Sequence, residues 1–263
     1  MKTEFKYIYG PVPSWRLGSS LGIDLLSQKE KICNFDCLYC QLGPVKDYTR
    51  ERRIYVPIKE VIDELGELPG TNIDYITFSG RGEPTLAANL GEAIRAVKLI
   101  RKERIAVLTN SSLMGIDEVR KELTLADFVT AKLDACSPDL LQAINKPAQG
   151  IEFGNIIEGI KIFRKSYKGK LALQMMFIDH NRNYVNKFIY LANYIKPDEV
   201  QVNTPLRPCG IEALAKEDIL KIKDDFIASC QGIHIVCAYD ERAVNNVVSL
   251  SDEDTLKRRG KVK

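Results

Sequence analysis

The sequence predicts an α/β fold built on a parallel sheet with helices packed outside it. Two observations carry this expectation. Strand-like and helix-like runs alternate through six or more units, and such serial units close into parallel sheets. The strand runs are nearly all apolar, as strands covered on both faces must be. At 263 residues the chain is long enough for one domain with a sizeable core. A doubly wound sheet and a barrel both fit, and in each the ligands bind beyond the carboxyl ends of the strands.

The elements follow in order. Leu21–Leu26 reads as a strand, and Ile54–Leu65 as a helix with apolar residues at helical spacing. Ile73–Phe78 is a β-rich run leading into a glycine-rich turn. Leu86–Lys102 has helical periodicity, and Arg104–Leu108 is a buried-strand pattern. Helix Ile116–Leu123, strand Phe128–Leu133, a short helix Pro138–Ile144 and a longer one Phe153–Ser166 come next. Strand Leu171–Ile178, helix Tyr184–Ile195, strand Glu199–Val202, helix Lys216–Ser229 and strand Ile233–Ala238 complete the series. The post-strand loops, from Ser27–Cys40 to Asn203–Cys209, hold most of the unusual polar and glycine-rich sequence.

Composition sets bounds on function. Apolar and charged fractions are ordinary for a soluble globular protein. No segment approaches the roughly 20 apolar residues needed to cross a bilayer. Met1–Tyr9 alternates charged and aromatic residues without an apolar signal core. These features predict a cytoplasmic protein with no membrane partner. The net charge of +3 neither demands nor excludes a nucleic-acid partner. The basic stretch Lys257–Lys263 reads as a solvated terminus. Seven cysteines, an odd count with long gaps, do not make a disulfide framework and point instead to metal.

Cys33-Asn-Phe-Asp-Cys37-Leu-Tyr-Cys40 follows the first strand with the spacing C-x3-C-x2-C. Three thiolates this close can wrap one cubane cluster. Zinc prefers four ligands, often in two pairs, and no second pair lies nearby. A [4Fe–4S] cluster on three cysteines leaves one iron open for chemistry.

The motif, including aromatic Tyr39 before its last cysteine, resembles that of the radical S-adenosylmethionine superfamily. The resemblance implies a partial (β/α)6 barrel with short N- and C-terminal additions. It also implies a [4Fe–4S] cluster on Cys33, Cys37 and Cys40, and S-adenosyl-L-methionine as cofactor. The methionine end would chelate the open iron, and a one-electron reductant of flavodoxin or ferredoxin type would feed the cluster. Reductive cleavage would yield a 5′-deoxyadenosyl radical that abstracts hydrogen from the substrate.

Further segments match. Ser79-Gly80-Arg81-Gly82-Glu83-Pro84 resembles the superfamily's Gly-Gly-Glu-Pro segment, which contacts the methionine ammonium, with Arg81 at the first glycine. Asn110 and Ser111 after the third strand are candidates for cofactor carboxylate or ribose, and an N-cap cluster is the alternative. Lys132 and Asp134 end the fourth strand, where charge is costly unless it faces a site or partner. Gln174 raises the same question. Asn203 and Thr204 resemble the segment whose backbone touches adenine. His180 reads as a surface residue.

Tyr9–Gly18, Ser20–Asp24 and the Cys-Leu-Tyr-Cys-Gln41 stretch narrow the likeness to a compact group related to tRNA wyosine-base synthases. That likeness runs from about Tyr9 to about Pro205. Wyosine synthases hold a second cluster on upstream cysteines, and here no cysteine precedes Cys33. We expect residues 1–210 to form the barrel with its N-terminal extension, and residues 211–263 a C-terminal extension packed on it. Cys136 reads as a lone thiol. Cys209, Cys230 and Cys237 read as core or isolated thiols, with an auxiliary cluster as the alternative. The expected partner is a bulky substrate, tRNA or a protein. A glycyl-radical activating protein and a non-catalytic electron carrier are the rival readings.

Overall fold

The computed structural model describes residues 5–240 and 247–257. Most of the basic C-terminal stretch, residues 258–263, lies outside the described residues. Among those described, one sheet of eight strands runs in the order of the sequence. The strands are β1 (Ile8–Ser14), β2 (Gly18–Ile23), β3 (Tyr75–Phe78), β4 (Arg104–Thr109), β5 (Phe128–Lys132), β6 (Lys170–Met176), β7 (Glu199–Asn203) and β8 (His234–Cys237). From β2 to β8 every pairing is parallel. The sheet curls into the expected partial barrel, with β1 added antiparallel to β2.

Helices α1 (Ile58–Gly66), α2 (Leu90–Ile100), α3 (Asp117–Leu123), α4 (Pro138–Leu140), α5 (Phe153–Ser166), α6 (Val185–Ile195), α7 (Lys216–Ser229) and α8 (Glu253–Lys257) account for most of the connections. Helix α1 starts later than its periodicity suggests, because Pro57 stands at its N-cap and its ring favours a helix start over a helix interior. Asp117 and Glu118 open α3 while Arg120 and Lys121 close it, complementing the helix dipole. Helix α5 turns Ile156, Ile157, Ile160 and Phe163 onto the sheet.

The two sheet faces do different work. Outward residues such as Ile105, Val107, Val129, Leu171 and Leu173 join the main core under the helices. Inward residues form a separate small cluster in which Leu17 packs on Ala106, Phe128 and Ala172, flanked by Tyr75 and Leu108. Leu17 sits in the β1–β2 turn, so the hairpin end closes the floor of the barrel. Above this floor the wall is polar: Ser20, Thr77, Thr130, Gln174 and Gln201 are all buried.

At the lower rim, Glu199 is buried and accepts hydrogen bonds from Lys170 (2.7 Å) and Gln201 (2.7 Å), with His234 Nδ1 at 3.1 Å. Burial alone would raise its pKa. These partners outweigh burial and hold the carboxyl below its ordinary value of 4.5. A depressed carboxyl stabilises the fold above its unfolded-state pKa, and that contribution is lost as pH falls through the folded-state value. Glu199→Gln is therefore expected to flatten the acid limb of the stability curve, read by urea unfolding from about pH 6 down to about pH 3.

Candidate active site

The cysteine loop is built by backbone contacts on both sides. On one side Ile32 pairs with Gly82. Ile32 N–H donates to the Arg81 carbonyl (3.1 Å), and Glu83 N–H donates to the Ile32 carbonyl (3.0 Å). A Cβ on Gly82 would stand 1.6 Å from the Ile32 carbonyl oxygen, so glycine is required by close approach. On the other side Phe35 bridges to Pro147, and Asp36 and Leu38 N–H groups donate to the carbonyls of Asn145 and Ile144 (both 2.9 Å). Asn145 ends a π-turn that follows α4, and Lys146 leaves it in a left-handed conformation.

Each cysteine has an N–H donor. Lys31 Nζ lies 3.1 Å from Cys40 Sγ, Asn145 Nδ2 3.3 Å from Cys37 Sγ, and Phe35 N 3.5 Å from Cys33 Sγ. Lys31 is buried. Burial would lower its pKa, but Cys40 and Cys33 outweigh it and hold the ammonium above its ordinary value. Burial pushes the Cys33 thiol up to about 12, with Cys37 adding to the effect. Among the described residues, no three cysteine, histidine or carboxylate groups converge on one point as they would around a single ion. In a cubane each thiolate binds a different iron, so ligands lining one loop need not converge. Three soft donors met by three N–H groups, one of them the buried Lys31 ammonium, fit an anionic iron–sulfur cluster.

Glu83 ties the next two loops together. Its carboxylate accepts from Thr85 N (3.0 Å), Thr85 Oγ1 (2.7 Å), Thr109 Oγ1 (2.6 Å) and Asn110 N (2.5 Å). Burial raises its pKa, and these bonds partly offset the rise. Glu83 therefore braces Asn110 and the glycine turn from behind. The Arg81 side chain turns away and donates to the Lys29 carbonyl (2.9 Å). Ser111 adopts a left-handed φ of 69°, and its buried Oγ has no hydrogen-bond partner among the described residues.

Asn34, between two of the cysteines, joins the loop after β4. Its Nδ2 donates to Ser112 Oγ (2.8 Å), while its Oδ1 accepts from Asn110 Nδ2 (2.8 Å) and Ser112 Oγ (3.0 Å). Asn34→Ala removes the partner of the buried Ser112 hydroxyl and one partner of the Asn110 amide. It is expected to cost about 1–3 kcal/mol, measured by denaturant unfolding of the apo-protein.

A second cluster lies below Cys37. The Tyr39 hydroxyl donates to the Asp134 carboxylate and accepts from Lys132 Nζ at 3.0 Å. Burial, then Asp134 and Cys37, raise the Tyr39 pKa well above the usual phenol value, so the phenol keeps its proton. Asn145 Nδ2 reaches Tyr39 Oη (3.2 Å) and Asp134 Oδ2 (3.3 Å), and Asp134 Oδ1 accepts from Met176 N (2.8 Å). Asn110, Lys132, Asp134 and Asn145 line one cleft of about 250 Å³, its open mouth included.

The structure thus brings Tyr39, Asn110, Lys132 and Asp134 together beside the cysteine loop. At the other end of the row, Asn203 Oδ1 caps the Thr204 amide (2.9 Å), and Thr204 Oγ1 accepts from Leu214 N (2.9 Å). Three residues that sequence reasoning missed, Lys31, Asn34 and Asn145, supply polar contacts to the loop. Cys209, Cys230 and Cys237 sit apart: Cys209 Sγ donates to the Ile211 carbonyl (3.2 Å) and Cys237 Sγ to Asp240 (3.2 Å). His180 is exposed.

The sequence pattern of the radical SAM superfamily matches residues 31–192, a span holding the cysteine loop, the glycine turn and the Lys132–Asp134 pair. The chain belongs to the radical SAM superfamily. As a radical SAM enzyme it works with a [4Fe–4S] cluster and S-adenosyl-L-methionine. Its relatives include the UPF0026 protein slr1464 of Synechocystis sp., 43% identical over 79% of this chain and 78% of that protein. A probable GTP 3′,8-cyclase of Saccharolobus islandicus is 27% identical over 78% of this chain and 64% of its own. Among solved structures, Streptococcus suis SuiB bound to S-adenosylmethionine superposes with a TM-score of 0.63 at 14% identity, covering 82% of this chain. The present chain spans about half, 49%, of that one, and the likeness is one of fold. Among the described residues no helix is long and apolar enough to cross a membrane.

Proposed function

We propose that this radical SAM enzyme holds its cluster on Cys33, Cys37 and Cys40 and abstracts hydrogen from a substrate admitted to the barrel. The observation that carries this is the donor set of the cysteine loop: three thiols, each met by an N–H group, on a backbone clamped from both sides. When bound, cluster and cofactor supply one-electron cleavage of the sulfonium to a 5′-deoxyadenosyl radical.

The chain's own residues position and insulate. Lys31 neutralises charge beside Cys40. We assign the methionine ammonium to the backbone of the Gly80–Gly82 turn, from which the Arg81 side chain is directed away to the Lys29 carbonyl and whose far end Glu83 ties to Thr109 and Asn110. Asn110 and Ser111 offer polar groups toward the methionine carboxylate and ribose, and Ser111 Oγ has spare capacity. Lys132, held by Tyr39 and Asp134, presents an ammonium at the rim of the cleft. We assign the backbone at Asn203 and Thr204 to adenine, on the family resemblance of this segment after β7. We propose a flavodoxin- or ferredoxin-type protein as reductant, and tRNA or another large molecule as substrate.

The test is anaerobic reconstitution followed by dithionite and S-adenosyl-L-methionine. Release of 5′-deoxyadenosine is the expected result, and an electron carrier would release none. Deuterium transfer into 5′-deoxyadenosine from labelled candidates then identifies the substrate.

A further inference from the structure

The donor that meets Cys40 differs in kind from the other two. Cys37 and Cys33 are met by neutral groups, the Asn145 side-chain amide at 3.3 Å and the Phe35 backbone N–H at 3.5 Å. Cys40 is met by the Lys31 ammonium at 3.1 Å. Lys31 comes before the first cysteine in the chain, yet its ammonium lies beyond the last, where it also donates to the Gly43 carbonyl (2.9 Å). Gly43 N–H in turn closes onto the Cys40 carbonyl (3.2 Å), so the turn that places the sulfur also places the ammonium. The next residue, Ile32, is fixed by its pairing with Gly82. The Lys31 side chain is only 5% exposed. Its charge is therefore held in one place and out of water, where it acts on its neighbours through a low effective dielectric.

Asp36 opposes it. Asp36 stands between Cys33 and Cys37, and its Oδ1 lies 3.8 Å from Lys31 Nζ. The same oxygen accepts from Val45 N (2.9 Å), and Asp36 N–H donates to the Asn145 carbonyl (2.9 Å). A carboxylate is thus built into the middle of the cysteine loop. Its side chain is 22% exposed, and its contact with the ammonium is longer than that of the sulfur. It offsets the buried cation only in part.

One-electron reduction of a cubane adds one negative charge to what the thiolates hold. A fixed cation beside a thiolate favours the reduced form, and a fixed carboxylate favours the oxidised form. We propose that Lys31, opposed by Asp36, sets the reduction potential of the cluster and raises it toward the reach of a one-electron donor. This deepens the function proposed above and rests on its cluster assignment. In the step concerned the reductant loses one electron and the cluster gains it, and no bond forms or breaks. Lys31 acts through Cys40, so it is a positioning residue for charge.

The reconstituted full-length chain is titrated anaerobically at fixed pH with dithionite and mediator dyes, in the absence of S-adenosyl-L-methionine. Electron paramagnetic resonance counts the reduced cluster. At the wild-type midpoint, Lys31→Met is expected to lower the ratio of reduced to oxidised cluster by about tenfold, which is about 59 mV for one electron. Lys31→Arg keeps the charge and should bring the ratio back to within about threefold of wild type. Asp36→Asn keeps an acceptor for Val45 N and should raise the ratio by about threefold. Lys46→Gln is the control: Lys46 pairs with Glu30 (2.9 Å), with side chains 70% and 46% exposed. Water screens that charge, so its loss should move the ratio by less than about twofold. A clamp without an electrical role would change how much cluster is loaded and leave the potential of the loaded fraction where it was.

The proposal is overturned if Lys31→Met leaves the ratio within about twofold of wild type, or if Lys46→Gln moves it as far as Lys31→Met does. Should Lys31→Met hold no cluster, Asp36→Asn carries the test, and a ratio that stays level or falls overturns the proposal. Release of 5′-deoxyadenosine is followed separately on the same preparations. A reducible cluster without these shifts removes the present proposal alone. The shifts without release leave it standing and remove the radical chemistry. A wild-type chain that takes up no reducible cluster overturns the cluster assignment and this proposal with it.

Discussion

Cys37→Ala is expected to lose 5′-deoxyadenosine formation altogether while the barrel stays folded. Cys37 lies in a loop whose backbone is paired to both neighbours independently of the thiol. Its side chain is half-buried and meets Asn145 Nδ2. Removing the sulfur therefore removes a ligand and little packing. Iron should fall from about four per chain to a small remainder, since two thiolates cannot retain a cubane. Iron analysis and circular dichroism on the same anaerobic preparation check both halves. Retention of iron in the alanine variants at Cys33, Cys37 and Cys40 would refute the assignment, as would zinc in the wild-type protein.

Gly82→Ala is expected to be nearly as damaging without touching a ligand. The added carbon would overlap the Ile32 carbonyl at 1.6 Å, and the obstacle is backbone rather than a yielding side-chain tip. Separating the two loop segments breaks the bonds from Ile32 N to the Arg81 carbonyl and from Glu83 N to the Ile32 carbonyl. The cost expected for the lost bonds and the clash is about 2–4 kcal/mol. Lys31 and Cys33 flank Ile32, so the cysteine loop shifts with it. Thermal unfolding should show the destabilisation, and reconstitution should show reduced iron loading. Gly43→Ala is the control, since a Cβ there meets nothing within 4 Å; its positive φ of 76° still adds a modest strain of about 1 kcal/mol.

Much of this architecture could be read from residue order. The apolar runs on β3 to β7 identify a covered parallel sheet, and the cysteine spacing identifies the loop after β2. Strand β1 was not legible, because Gly10, Pro11 and Pro13 read as a turn. They are tolerated there because β1 is an edge strand, where a missing N–H costs no ladder bond. Strand β2 begins at Gly18 rather than Leu21 because Ser19 and Ser20 bond within the fold, to Asn72 and Thr77, instead of ending the strand. The contacts of Asn145 with Cys37 and of Asn34 with Ser112 span 108 and 78 positions of sequence. Local periodicity carries no signal for such distant partners. Asn34 was visible only as a spacer between ligands, and its role emerges from the loop it faces.

The edge that β1 presents also bears on how the molecule behaves in company. Leu250 N–H donates to the Gly10 carbonyl (2.9 Å), and Gly10 N–H donates to Ser251 Oγ (2.9 Å). Chain from the far end of the sequence thus occupies hydrogen-bonding positions that another molecule's strand would otherwise seek. Pro11 and Pro13, which have no N–H to donate, interrupt the rest of that border. At its β1 border the curled sheet is thereby hindered from joining a neighbour edge to edge, which is the usual route by which exposed strands draw proteins into aggregates.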